Sequence, residues 1–214
     1  MEPARLQEIC DALPIFPLPR TVLLPGASLP LHVFEARYRA LVAHCLATDR
    51  LIGIATLKPG YEPQYEDAPA VWPEVGIGEL VAHQPFPDGR CNIVLQYVGR
   101  ARIREEIPSD HPFRMVRGAV GAEDDRGTAG ALAALKVLVL QLGGLSASAA
   151  NEARRLVQLE GMELVDALAR RLVEDPDEQR RYLGVDRLSD RIAIVQDRLA
   201  TFLVPSNGAS TGDS

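Results

Sequence analysis

Cysteine is scarce in this chain, and so is lysine. The three cysteines, Cys10, Cys45 and Cys91, are odd in number, widely spaced and free of any Cys-x-x-Cys pairing, which argues against a disulfide framework and a zinc site. They read as reduced thiols. The two lysines, Lys58 and Lys136, neither follow a glycine nor precede a serine or threonine, so no Walker A loop is present to cradle a nucleotide phosphate. A basic surplus is missing too: 12 basic residues stand against 14 acidic in residues 1–120, and 11 against 15 in residues 121–214, giving a net charge of −6. Proteins held to nucleic acid by phosphate contacts usually carry a basic stripe, so nucleic acid is a disfavoured partner. The longest apolar run, residues 131–142, is interrupted by Lys136 and Gln141 and falls short of the roughly 20 residues a membrane span needs. The opening MEPARLQEICDA mixes acids with apolar residues and has no apolar h-region, which predicts no secretory signal, no membrane and a cytoplasmic protein.

Proline is plentiful but unevenly placed. Fourteen of the 16 prolines and eight of the 11 aromatics lie at or before Pro112, and Ala, Leu, Val, Arg and Glu dominate the remainder. Because proline is confined to strand edges, turns and helix first turns, this shift predicts a β domain over 1–120 and a helical bundle over 121–205. A tail over 206–214 has no apolar periodicity and is expected to be disordered. Strands are predicted at 13–16, 29–33, 51–57, 75–83, 91–104 and 113–120, each rich in Val, Ile and Leu and bounded by Gly, Pro or Asp. One helix is predicted over 35–48, with Phe34, Tyr38, Leu41, Val42, Cys45 and Leu46 as a single apolar stripe. Further helices are predicted at 129–142, 149–173 (whole, or broken at Gly161), 177–183 and 187–203. The last carries Leu188, Ile192, Val195, Leu199 and Phe202 at helical spacing, with Asp186 as its N-cap. The expected fold class is therefore α+β, a barrel or sandwich of about six strands with one helix, followed by a small helical bundle.

No catalytic constellation emerges. His32, His44, His83 and His111 lack the spacing that places two imidazoles on one face, and the neighbours His44 and Cys45 diverge by about 100° on a helix. No metal site and no cofactor are expected. Lys136 lies in an apolar helix without a serine nucleophile nearby and reads as a snorkelling side chain. The acid pairs Glu105-Glu106 and Asp124-Asp125 read as solvated.

Three features could bind something. The segment 58–74 is long for a connection between strands and carries Tyr61, Tyr65 and Trp72, residue types favoured at recognition hot spots, so these three are the candidate peptide-binding residues. The plainer reading is a loop whose aromatics cover the end of the barrel. Arg100, Arg102 and Arg104 alternate along a strand and so share one face, where they could meet an acidic peptide or a nucleic-acid phosphate, or simply pair with nearby acids. The helix from Ala131 to Leu140 is apolar nearly all round and must be covered by the bundle, by a partner, or by a second copy in a homodimer.

One stretch identifies the scaffold. Leu13-Pro-Ile-Phe-Pro-Leu-Pro19 runs into Val22-Leu-Leu-Pro-Gly26 and Leu29-Pro-Leu-His-Val-Phe-Glu-Ala-Arg-Tyr38, physically a short edge strand, a Pro-Gly turn, a second short strand and a helix start. This string resembles the opening of the Lon protease N-terminal, substrate-binding domain. Val75-Gly-Ile-Gly-Glu-Leu80, Asp88-Gly-Arg90, Val98-Gly-Arg-Ala-Arg-Ile103 and residues 113–120 resemble later strands and a hairpin turn of the same family. The resemblance implies a PUA-like pseudo-barrel followed by a helical bundle. It also implies a non-catalytic module that binds unfolded or hydrophobic protein segments, with a protease or chaperone as the receiving partner. RNA binding through Arg100, Arg102 and Arg104 is the alternative, since PUA-like barrels include RNA binders.

Overall fold

Alternating small and branched residues shape the first part. In the computed structural model, which describes residues 2–65, 68–144 and 146–203, six strands form one mixed sheet: β1 (Leu13–Leu18), β2 (Ser28–Val33), β3 (Leu51–Leu57), β4 (Val71–Pro85), β5 (Cys91–Ile107) and β6 (Met115–Val120). Their order is β2-β5-β4-β3-β1-β6, and β6 also pairs with β5, which closes the sheet into a barrel. Strand β5 is long enough to serve twice. Its first half pairs with β2 from Cys91 to Gln96, and its second half pairs with β6 from Ala101 to Ile107. Pro30 lies in β2, which pairs on one side only, where a missing N–H breaks no ladder.

A close approach of two backbones explains Val75-Gly-Ile-Gly. The segment between β1 and β2 crosses β4, and a Cβ added at Gly76 would lie 2.2 Å from the Leu23 carbonyl oxygen, while one at Gly78 would lie 2.9 Å from a Leu23 methyl. Only glycine fits at position 76. With the backbone so seated, Leu23 packs into the barrel core beside Phe16 and Leu95, and Leu24 packs into the bundle core beside Leu164 and Leu168. Pro25 and Gly26 complete the predicted turn: Ala27 N–H donates to the Leu24 carbonyl at 3.0 Å, and Gly26 has φ +70°.

Helix α1 (Pro3–Cys10) was not predicted, although Leu6, Ile9 and Cys10 recur at helical spacing behind a first-turn proline. It caps the barrel. Leu6 lies against Gly99, where a Cβ would come within 2.5 Å of a Leu6 methyl. Gln7 donates to the Gly118 carbonyl at 3.0 Å and accepts from Val120 N–H at 2.9 Å. Helix α2 (Ala36–Ala47) buries Tyr38, Leu41, Val42 and Cys45, as its stripe predicts. Phe34 departs from that stripe and is 60% exposed. It precedes the helix and follows β2, so strand parity governs it: residues 30, 32 and 34 point outward while Leu29, Leu31 and Val33 point inward.

The second part is a bundle of α3 (Ala129–Gly143), α4 (Ala147–Leu156), α5 (Gly161–Leu172), α6 (Pro176–Leu183) and α7 (Leu188–Leu203). The helix predicted over 149–173 is two helices, and Gly161, at φ +47°, opens the second. Asp175 caps α6 by accepting from the Asp177 and Glu178 amides at 3.0 and 3.1 Å. Asp186 does not cap α7, which starts only at Leu188; its carboxylate accepts instead from Arg100 at 2.8 Å. The α7 stripe buries Leu188, Ile192, Val195 and Leu199. The Phe202 side chain and the tail 206–214 lie outside the described residues. A polar cluster sits inside this bundle, where the fully buried Arg191 donates to Asp166 at 3.0 Å and the Tyr182 hydroxyl donates to the same oxygen at 2.6 Å. Burial pushes the Asp166 carboxyl above its ordinary range, while Tyr182 and Arg191 pull it back down.

The architecture is thus the α+β barrel and bundle expected from the sequence, with one helix more in the first part. Two glycines test the packing. Gly76→Ala is expected to cost about 3 kcal/mol or more in urea unfolding because neither backbone can yield, the scale of an overpacked core. Gly130→Ala, in the first turn of α3 with nothing near its Cβ position, is expected to be neutral or stabilising by up to about 1 kcal/mol. Equal stabilities for the two variants would contradict the close-approach account.

Candidate recognition surfaces

Tyr61 stands between the other two aromatics of the 58–74 segment, beside Tyr65 and in one cleft with Trp72. Strand β4 begins at Val71, four residues before its predicted start, because Leu57 pairs with Val71 and Lys58 N–H donates to the Ala70 carbonyl at 2.8 Å. Pro73 is accommodated where the β3–β4 register shifts between Ala55 and Leu57. The irregular connection therefore spans only 58–70, with a 3₁₀ turn at Glu62–Gln64, and Trp72 belongs to a strand. Arg180 of α6 stacks on the Trp72 ring, its guanidinium carbon 3.9 Å from the centroid, and the Lys58 ammonium lies 5.1 Å away. The Tyr65 ring lies 6.2 Å from that of Tyr61, its hydroxyl donates to Glu35 at 2.9 Å and its carbonyl accepts from Arg37 at 3.2 Å. Tyr61 and Trp72 share a cleft of about 210 Å³ with Arg20, Leu57, Pro59 and Pro176. Tyr65 does not line it.

The arginines on β5 also diverge in role. Arg100 is only 5% exposed; it donates to the Leu183 carbonyl at 2.9 Å, to the Ala122 carbonyl and to Asp186. Arg102 donates to Glu74 at 2.8 Å, and Glu74, 9% exposed, takes a second guanidinium from Arg180 at 2.9 Å. Arg104 is exposed and has no hydrogen bond or ion pair among the described residues. Arg100 thus ties the barrel to the bundle directly, whereas Arg102 pairs within the barrel and it is Glu74 that reaches the bundle, through Arg180. Their half-buried and buried pairs, unlike exposed ones, carry appreciable energy when one partner is lost.

The exposed aromatic rim was missed in the sequence. Phe34 stands at the end of β2 with His32 at 6.2 Å between ring centroids, and His32 lies 6.1 Å from Phe86 in the β4–β5 turn. Arg39 of α2 reaches the Asp88 carbonyl at 3.5 Å and holds this turn to the barrel. The outward parity of residues 30, 32 and 34 was the available signal. On α3, Leu135 and Val139 are buried, while Val137 and Leu140, 54% and 49% exposed, leave an apolar outer face; Lys136 pairs with Glu160 at 2.8 Å.

Reactive groups are quiet. Burial pushes the Cys10 thiol up to about 11 and the Cys45 thiol up to about 12, so neither is a thiolate near neutral pH. His44 and His111, distant in sequence, meet with ring centroids 4.7 Å apart, and desolvation followed by the His111 charge holds His44 below its ordinary range. Among the described residues, no group of three or more His, Cys, Asp or Glu is placed to hold a metal ion. None of the described helices is long and apolar enough to cross a membrane.

Solved structures share this barrel and bundle. The N-terminal domain of the Mycobacterium avium complex Lon protease superposes with a TM-score of 0.66 at 17% identity, covering 88% of this chain and 98% of that one. A Lon N-terminal domain protein from Xanthomonas campestris gives a TM-score of 0.63 at 23% identity, covering 87% and 97%. The fold is that of a Lon N-terminal domain. In sequence, the Lon protease of Geobacter metallireducens is 27% identical over 202 residues, 90% of this chain and 24% of the relative. That of Dictyoglomus thermophilum is 30% identical over 109 residues, 50% of this chain and 13% of the relative. This chain therefore spans a quarter or less of the length of these proteases. Residues 12–201 match the ATP-dependent protease La (LON) substrate-binding domain, and the chain belongs to that family. The domain that defines the family is a non-catalytic, substrate-recognising module.

Glu74 is the test of the barrel–bundle tie. Glu74→Gln keeps the shape but removes the charge that Arg102 and Arg180 share, leaving Arg180 only the more distant Asp177 at 3.9 Å, so a loss of about 2 kcal/mol is expected in urea unfolding. A loss below about 0.5 kcal/mol would mean that the contact is incidental.

Proposed function

We propose that the chain captures unfolded or exposed hydrophobic segments of other proteins in the cytoplasm and passes them to a protease or chaperone, performing no chemistry itself. Its family membership supports the recognition of protein substrates. The observation that carries the surface assignment is Phe34, a large apolar side chain 60% exposed, grouped with His32 and Phe86 at one end of the barrel. Exposed apolar groups rimmed by polar ones mark interaction sites, and a buried phenyl ring contributes about 1.5–3 kcal/mol. The rim rests on rigid elements, β2 and the β4–β5 turn, so little ordering is needed on binding. The Tyr61–Trp72 cleft is a secondary contact in this proposal, because the Trp72 ring face is already occupied by Arg180. A second copy packing on the outer face of α3, around Val137 and Leu140, is its oligomeric element. The RNA alternative is weakened by the burial of Arg100 and by the acid surplus of both parts.

The assay is fluorescence anisotropy with a labelled, reduced and alkylated protein that cannot fold. Phe34→Ser is expected to weaken binding about tenfold or more, with the melting temperature little changed, because the ring is 60% exposed and belongs to neither core. Trp72→Ala is expected instead to lower the melting temperature through loss of the Arg180 stack. Unchanged affinity in Phe34→Ser would sink the surface assignment, and no binding by the wild-type chain would sink the function.

A further inference from the structure

At the seam between β5, β6 and the turn after α6 lies a polar cleft of about 220 Å³, lined by Arg100, Arg102, Arg104, Glu74, Gly121 and Asp186 among others. It is distinct from the aromatic rim. We propose that this cleft is an anion site that takes a single carboxylate from an acidic peptide segment.

The charge balance points there first. Three guanidiniums line the cleft against two carboxylates, and one of those, Glu74, is shared with a fourth guanidinium, that of Arg180. The net positive charge sits on a chain of net charge −6, so it is a local feature. Its construction points the same way. Arg100 is 5% exposed with its three acceptors all from this chain, and its Nε is buried with no acceptor among the described residues. A buried cation left short of an acceptor raises the local positive potential and favours an incoming anion. The walls are shaped around these groups, since a Cβ at Gly121 would fall 2.7 Å from the Arg100 guanidinium carbon and one at Gly184 would fall 2.9 Å from a Glu74 methylene. Arg104, exposed and unpaired among the described residues, is left as the forked donor at the mouth.

Size and charge select the occupant. A cleft of about 220 Å³ has room for a carboxylate with several waters beside it. Glu74 and Asp186 inside it disfavour a phosphate dianion more than a carboxylate monoanion. Recognition of an acidic segment rests on the reading of the chain as a protein-binding module, but it can be measured apart from hydrophobic capture.

The probe is a labelled 12-residue peptide of Glu, Gly and Ser, which has no apolar side chain, read by anisotropy at low salt beside its Gln counterpart. Binding of the Glu peptide at least tenfold tighter than the Gln peptide is expected. Arg104→Gln should remove about that factor, and Arg117→Gln, an exposed arginine paired with Glu105 outside the cleft, should leave it unchanged. Phe34→Ser should also leave it unchanged, so failure of the hydrophobic surface and failure of this site give different results. Equal loss in Arg104→Gln and Arg117→Gln, or equal binding of the two peptides, would overturn the proposal. So would inorganic phosphate or a single-stranded RNA 12-mer binding through Arg104 more tightly than the Glu peptide.

Discussion

Two backbones in contact, that of Leu23 and that of Gly76, hold this protein in one piece. The connection between β1 and β2 can press on β4 only because residue 76 has no side chain, and from that position it sends Leu23 into one core and Leu24 into the other. Each buried leucine contributes about 1.5–3 kcal/mol, so the crossing strap secures both halves at once. Charged groups then fix the angle. Arg170 of α5 donates to the Pro25 carbonyl, Glu74 joins Arg102 to Arg180, and Arg100 reaches across to Leu183 and Asp186. Of these, the Glu74–Arg180 pair is the most buried, so losing either partner costs more there than at an exposed pair.

Much of this was legible beforehand. The six strands and the last helix follow from composition and periodicity, and their bounds differ from those observed by a few residues at most. The losses have physical causes. The stretch up to residue 74 has no strand periodicity and so reads as a connection, yet a shift in register lets Trp72 and Pro73 join β4. Phe34 was assigned to a helical stripe because it stands four residues before Tyr38, but the chain is still extended there and strand parity turns it outward. All three arginines line one cleft beside β5. What the spacing could not reveal was the bundle that buries Arg100 and the β4 carboxylate of Glu74 that pairs Arg102, while Arg104 stays at the surface.

Among the described residues, burial pushes the Cys10 and Cys45 thiols up, Lys58 lies over Trp72, Lys136 pairs with Glu160, and Phe34 stands in solvent. Hydrophobic capture at Phe34 needs only exposure and rigidity. In this proposal both come from β2 and the β4–β5 turn, which Arg39 holds to α2.

The central claim is that the barrel end around Phe34 receives the client. Hydrogen exchange of the wild-type chain, with and without a saturating unfolded protein, tests it without any mutation. Slowed exchange at the amides of residues 32–35 and 86–90, with α3 unchanged, is the predicted result; slowing confined to α3, or none anywhere, would contradict it.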